Sequence, residues 1–260
     1  NNKNLSKKIL SWYDNNKRTL PWRISQNSKK NQYYRILSEF MLQQTQVKTV
    51  IPYFENFVEK IPNLKTLSNS NEKKILKLWE GLGYYSRAKN LHKTSKILIK
   101  KYNGQIPNSF EKLKELPGIG DYTASILLAL IHNHPRIALD GNVKRFLSRL
   151  LNIDLNEAVN LFKTKRNGDL AEALMEFGAL ICKPKDPKCY QCEIKKICSY
   201  YSSESKIKLK KKIKIKLKSY DIFCYLKKNK KQIALTKNNN LSFLKKFNLP
   251  KVKETSRKNK

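Results

Sequence analysis

Acidic side chains are scarce in this chain: 20 aspartates and glutamates face 55 lysines and arginines, a formal net charge of +35 at pH 7. So basic a balance points to a polyanionic partner, nucleic acid first. Nine of the cations are arginine and 46 are lysine. Asparagine, lysine and isoleucine are over-used together, as AT-rich coding would impose, so charge alone specifies no site. Long apolar runs are also missing. No stretch of about 18 apolar residues occurs, so no membrane span is expected. The opening residues Asn1-Asn2-Lys3-Asn4 lack the apolar region of a signal peptide, and the expected location is the cytoplasm. They also lack an initiator Met, so a few residues are expected to precede them.

Cysteine is sparse and unevenly spread. Four of the five cysteines, Cys182, Cys189, Cys192 and Cys198, fall within 17 residues, and Cys224 stands apart as a small apolar residue. An odd count, clustered without an export signal, argues against a disulfide framework and for a metal site. The spacing Cys182-x6-Cys189-x2-Cys192-x5-Cys198 holds one close pair where a zinc ribbon has two. Four thiolates suit either zinc or a [4Fe–4S] cluster, and one compact loop favours the cluster.

The hydrophobic share of 40% suffices for a core, and 260 residues suit one large domain or two small ones. Patterning predicts helices near 3–16, 31–44, 47–59, 71–80, 86–101, 109–116, 121–132, 141–150, 155–163 and 168–181. Residues 124–131 are apolar nearly all round, which predicts a buried helix. Asn108 and Glu111 have the spacing of a capping box. After Cys198 the chain turns lysine-rich. Alternation predicts strands at 213–218, 222–226 and 232–236, and the last ten residues are expected to lack structure.

Leu116-Pro117-Gly118-Ile119-Gly120 joins two helical segments. Its glycines permit positive φ and close backbone approach, and the free amides that follow suit a phosphate. Leu139-Asp140-Gly141-Asn142-Val143-Lys144-Arg145 follows that turn. Asp140 suits an N-cap or a functional anion there. Glu39 sits in an apolar helical stretch, either solvent-facing or buried at a cost. One acid held neutral and one ionised is the arrangement that breaks a glycosidic bond.

Leu20-Pro21-Trp22-Arg23, Ser38 to Val47, Trp79 to Leu91, Leu116 to Thr123, Leu139 to Arg145 and the four cysteines resemble the endonuclease III superfamily. Within it they resemble MutY-type adenine DNA glycosylases, from about Leu5 to Cys198. The resemblance implies a mainly α, two-subdomain helix-hairpin-helix glycosylase fold with a [4Fe–4S] loop, and a small β-containing C-terminal region. It implies a catalytic domain at 1–200, a basic linker at 201–218 and a reduced lesion-recognition region at 219–260. Glu39 is then the general acid and Asp140 the counter-charge to the sugar cation. Tyr122 and Asn142 orient the chemistry. Arg18, Leu20, Trp22, Arg23 and Glu172 surround the extruded base, Gln44 and Tyr84 wedge into the duplex, and Gly118 and Gly120 grip phosphate. Tyr122 stands where strand-cutting relatives carry a lysine, which implies hydrolysis alone. The implied partner of this monomer is duplex DNA with adenine opposite 8-oxoguanine or guanine. Two departures stand out: the segment between Leu150 and Leu170 is short, and the lysine-rich tail matches the family weakly.

Overall fold

A computed structural model describes residues 2–25, 30–151, 162, 164–202, 219–223, 235 and 251–255. The chain divides into two compact units, residues 1–206 and 207–260. In the first unit, α1 (Asn2–Asn16), α2 (Asn31–Leu42) and α3 (Val47–Lys60) are followed by two short helices, α4 (Leu64–Asn69) and α5 (Glu72–Leu78). Then come α6 (Ser86–Tyr102), α7 (Phe110–Lys114), α8 (Asp121–His132), α9 (Gly141–Leu151), α10 (Asn167–Leu180) and α11 (Ser199–Ser202). The expected helix at 155–163 lies outside the described residues apart from Phe162.

Two apolar cores organise this unit. One is built by α2 to α8, with Phe40, Phe54, Phe57 and Trp79 at its centre. The other gathers Ile9, Trp12 and Tyr13 of α1, Phe146 and Leu150 of α9, and Leu174 and Phe177 of α10. The second core rests on helical periodicity. Val143, Phe146, Leu147 and Leu150 recur at i, i+3, i+4 and i+7, so α9 buries one stripe. The back of α8 (Ile126, Ala129, Leu130) packs with Ala138 and Ala171, which joins the two halves. As patterned, α8 is buried along most of its length.

Local details correct the sequence reading in three places. The cap of α7 is Ser109, not Asn108: its Oγ accepts from the Lys112 amide at 3.3 Å and donates to Glu111 at 2.9 Å. The helix α4 was not anticipated, because six residues are too few to show a period. Its signal was Asn63, whose side chain caps the Thr66 amide at 2.8 Å. In the second unit, β1 (Ser219–Phe223) pairs antiparallel with β2 (Lys251–Thr255), in register from Ser219↔Thr255 to Phe223↔Lys251. Lys251–Thr255 is therefore a strand where no structure was expected. Its ladder partner is remote in sequence, and composition carries no sign of it. The expected strand at 213–218 lies outside the described residues, as does 232–236 apart from Leu235.

Candidate active site

A pocket of about 530 Å³ opens between the two halves of the first unit. Its lining includes Leu20, Trp22, Glu39, Tyr122, Asp140, Asn142, Glu172 and Met175. Nine residues singled out from the sequence meet here: Arg18, Leu20, Trp22, Arg23, Glu39, Tyr122, Asp140, Asn142 and Glu172. Gln44, Tyr84, Gly118 and Gly120 do not line it.

Glu39 is only 7% exposed, on the inner face of α2. Burial pushes its carboxyl up to about 8; Arg35, one turn back on the same helix, pulls it down, and Glu172 and Asp140 push it further up. Asp140 lines the same pocket and caps α9. Its Oδ1 accepts from the Val143 amide at 2.7 Å and its Oδ2 from Asn142 Nδ2 at 2.9 Å. The cap and the functional anion are thus one residue, because a helix N-terminus favours negative charge. Asn142 is held in turn by Arg145, whose Nη2 reaches Asn142 Oδ1 at 2.9 Å and the Gly178 carbonyl at 2.7 Å. Tyr122, on the first turn of α8, donates to Met175 Sδ at 3.3 Å. Burial, then Glu39 and Asp140, raise its hydroxyl beyond any physiological titration.

The floor carries an ion chain that sequence reading found only in part. Arg35 donates to Glu172 at 2.7 Å, Arg23 to Glu172 at 2.9 Å and to Glu176 at 2.8 Å, and Arg18 grips Glu176 through two nitrogens. Tyr13 adds a third donor to Glu172 at 2.8 Å. Burial pushes the Glu172 carboxyl up, but Arg35, Arg23 and Tyr13 outweigh it and hold it below its usual range. Arg35 and Glu176 were not anticipated. Their signal was a charge set between two apolar neighbours in a helix, Tyr34 and Ile36 for Arg35 and Met175 and Phe177 for Glu176.

The hairpin runs from α7 into α8. Gly118 has φ +79°, and a Cβ there would lie 2.8 Å from Phe40 and 2.9 Å from Asn90, so no other residue fits. Gly120 differs from expectation: its φ is −96°, and nothing lies within 4 Å of a Cβ placed on it. Its lack of a side chain leaves open space outside the turn instead. The turn is pinned from within, through Thr94 to the Pro117 carbonyl at 2.9 Å and Gln43 to the Gly118 carbonyl at 3.2 Å. No side chain caps α8, so its first amides stay available.

All four clustered cysteines line one small cavity walled by Phe146, Phe177, Ile181 and Ile194. Burial pushes the Cys192 thiol up to about 11, so thiolates there need a cation to balance them. Among the described residues no three His, Cys, Asp or Glu side chains form a single-ion cage.

A hairpin turn between helices, beside a cleft that holds a buried acid and a helix-capping aspartate, defines the helix-hairpin-helix class. The chain belongs to the HhH-GPD superfamily of base excision DNA repair proteins, which it matches over residues 37–167. It is 44% identical over 236 residues to the adenine DNA glycosylase of Buchnera aphidicola subsp. Baizongia pistaciae, covering 86% of this chain and 62% of the relative. To the adenine DNA glycosylase of Mus musculus it is 37% identical over 210 residues, covering 74% of this chain and 41% of that one. The chain thus spans 62% or less of the length of these relatives. In structure it is similar to a thermostable thymine-DNA glycosylase, with TM-score 0.68 and 26% identity over 77% of this chain and 96% of the other.

Proposed function

We propose that this chain is a monofunctional adenine DNA glycosylase. It hydrolyses the N-glycosidic bond of adenine paired with 8-oxoguanine or guanine and leaves an abasic site. The observation that carries the reading is the pair of carboxyls across one pocket: Glu39, pushed up to about 8, and Asp140, tied by two hydrogen bonds to the start of α9. The relatives named adenine DNA glycosylase support the choice of base.

In this mechanism the protonated Glu39 delivers its proton to adenine N7. The C1′–N9 bond then breaks, and its electron pair leaves with the base. The sugar cation that develops at C1′ faces Asp140, whose orientation Asn142 fixes. Water adds at C1′ and gives up a proton to solvent, and Glu39 regains one. Leu20 and Trp22 wall the extruded base, and Arg18, Arg23 and Glu172 bound its polar edge. Glu172 accepts from Arg23, Arg35 and Tyr13, so it is held as a fixed acceptor. Gln44 and Tyr84 fill the gap in the duplex. Gly118, Gly120 and the first amides of α8 hold a backbone phosphate.

Cys182, Cys189, Cys192 and Cys198 hold a [4Fe–4S] cluster, which braces the loop between α10 and α11. The donor set supports this: four thiols share one apolar cavity. Residues 1–200 form the catalytic domain, 201–218 a basic linker, and 219–260 a reduced, β-containing lesion-recognition region. The protein acts as a cytoplasmic monomer on duplex DNA.

Single-turnover base release from a duplex with one 8-oxoguanine·adenine pair tests the reading. Wild-type protein should release adenine, while Glu39→Gln should bind the duplex and release almost none. Asp140→Asn should lose on the order of a hundredfold or more in rate. A Glu39→Gln protein that cleaves within a few-fold of wild type would remove the general-acid assignment.

A further inference from the structure

Arg87 lies in the first turn of α6 and is 6% exposed. Its Nη1 donates to the carbonyls of Met41 at 2.7 Å and Phe40 at 3.3 Å, to the Gln43 carbonyl, and to Thr45 Oγ1 at 3.1 Å. Its Nη2 donates to the carbonyls of Leu82 and Gly83, both at 3.1 Å. One guanidinium therefore ties the end of α2 and the turn after it to the loop that precedes Tyr84. Thr45 also lines the pocket, so the tied turn is part of the pocket rim.

Both tied turns hold an ordinary residue in the left-handed region: Gln44 at φ 58° and Tyr84 at φ 48°. Each is a strained conformation for a residue with a Cβ and needs surrounding bonds to persist. Arg87 bonds the residue before each, Gln43 and Gly83. Its guanidinium also lies 5.4 Å from the centre of the Tyr84 ring, on the buried side of a side chain that is 62% exposed.

A stabilising role alone accounts poorly for this choice of residue. Among the described residues no carboxylate pairs with Arg87, and its Nε is buried without a partner. A buried cation on neutral acceptors with a donor left over is costly. What it secures is one fixed spacing between two exposed left-handed turns.

We infer that Arg87 is a positioning residue that couples the pocket rim to Tyr84, so that Gln44 and Tyr84 enter the base stack as one unit while the pocket receives the base. The inference rests on the base-excision reading above. Arg87 touches no substrate in it and acts through Tyr84.

The test uses the full chain and a duplex with 2-aminopurine at the target position, whose fluorescence rises on unstacking. Arg87→Lys keeps the charge and cannot span both turns. It should bind a matched duplex within about threefold of wild type, and unstack 2-aminopurine about tenfold less well. In a Tyr84→Ala background the same change should have no further effect, because its route is already gone. Thr45→Val, which removes one acceptor and leaves the arginine, should lose about threefold in unstacking and decides the matter if Arg87→Lys does not fold. Wild-type unstacking by folded Arg87→Lys overturns the inference. So do equal losses of unstacking and matched-duplex affinity, additive losses with Tyr84→Ala, or no effect of Thr45→Val when that variant decides. If wild-type protein neither unstacks the probe nor releases adenine from the natural substrate, the function reading falls and takes this inference with it. If wild type releases adenine and only Arg87→Lys behaves unexpectedly, the fault lies with Arg87 alone.

Discussion

At the residue scale, the state of Glu39 decides what the pocket can do. As the proposed general acid, Glu39 must carry its proton, so base release should hold near neutral pH and decline as pH rises through the raised value of Glu39. The same shift has a stability consequence of fixed sign. A carboxyl held at about 8 when folded and 4.5 when unfolded favours the folded state fully at low pH, and that advantage is lost as pH rises from 4.5 to 8. Glu39→Gln should therefore melt higher than wild type at pH 8 and show no such gain near pH 4. Thermal melts at the two pH values check it. Arg35 opposes the rise, so Arg35→Gln should move the alkaline limb of base release upward. It should also lower the melting temperature, since Glu172 loses a buried partner worth about 3–5 kcal/mol when removed. An unmoved limb in a folded variant would show that Arg35 does not act on Glu39. The pocket's amine is Lys48, exposed at the start of α3. Borohydride should trap no stoichiometric adduct during turnover; an adduct lost in Lys48→Met would mean strand cleavage through that amine. The sequence made Glu39 and Asp140 visible as acids out of place. It left open whether Glu39 faced water, because one turn of helix has both a wet and a dry side.

At the element scale, the site depends on how closely α9 and α10 approach. A Cβ on Gly178 of α10 would lie 2.7 Å from the Asn142 carbonyl oxygen and 2.9 Å from its carbon. Those are backbone atoms of the turn that carries Asp140 and cannot move cheaply. Gly178→Ala gains about 1 kcal/mol of helix propensity, and loses about 1–3 kcal/mol to overpacking. We expect a net fall in melting temperature of several degrees and a larger fall in base release than in duplex affinity, because the displaced turn carries the proposed counter-charge Asp140. A stabilised, fully active variant would mean the helices can part without moving Asp140. The long helices were legible because their apolar stripes repeat over several turns, as along α9. Among the short ones α4 was missed, and the cap of α7 was misplaced by one residue because Asn108 and Ser109 are both capable.

At the scale of the whole molecule, the excess of basic charge and the second compact unit pose one question: does the tail confer affinity or discrimination? Lysine contacts to phosphate strengthen binding to any duplex and make it salt-sensitive. Removing residues 207–260 should weaken binding to matched and 8-oxoguanine·adenine duplexes by similar factors and flatten the salt dependence. Selective loss of preference for the damaged duplex would show that the tail reads the lesion. Elemental analysis of anaerobically prepared protein should find iron and acid-labile sulfide; stoichiometric zinc without iron would overturn the cluster. By itself the sequence determined what short segments encode: the basic charge, the Gly118 turn, the cysteine spacing and the helical stripes. Each is a local property, set by neighbours within one or two turns of chain. Only the tertiary structure decided which charges share a pocket. Glu39 shares a pocket with Asp140, Arg35 meets Glu172 across the two halves, and Arg87 meets the turn at Gln43–Thr45 through contacts remote in sequence. Those contacts set the dielectric around each charge. That dielectric, not the residue type, makes one buried carboxyl an acid and the other a paired anion.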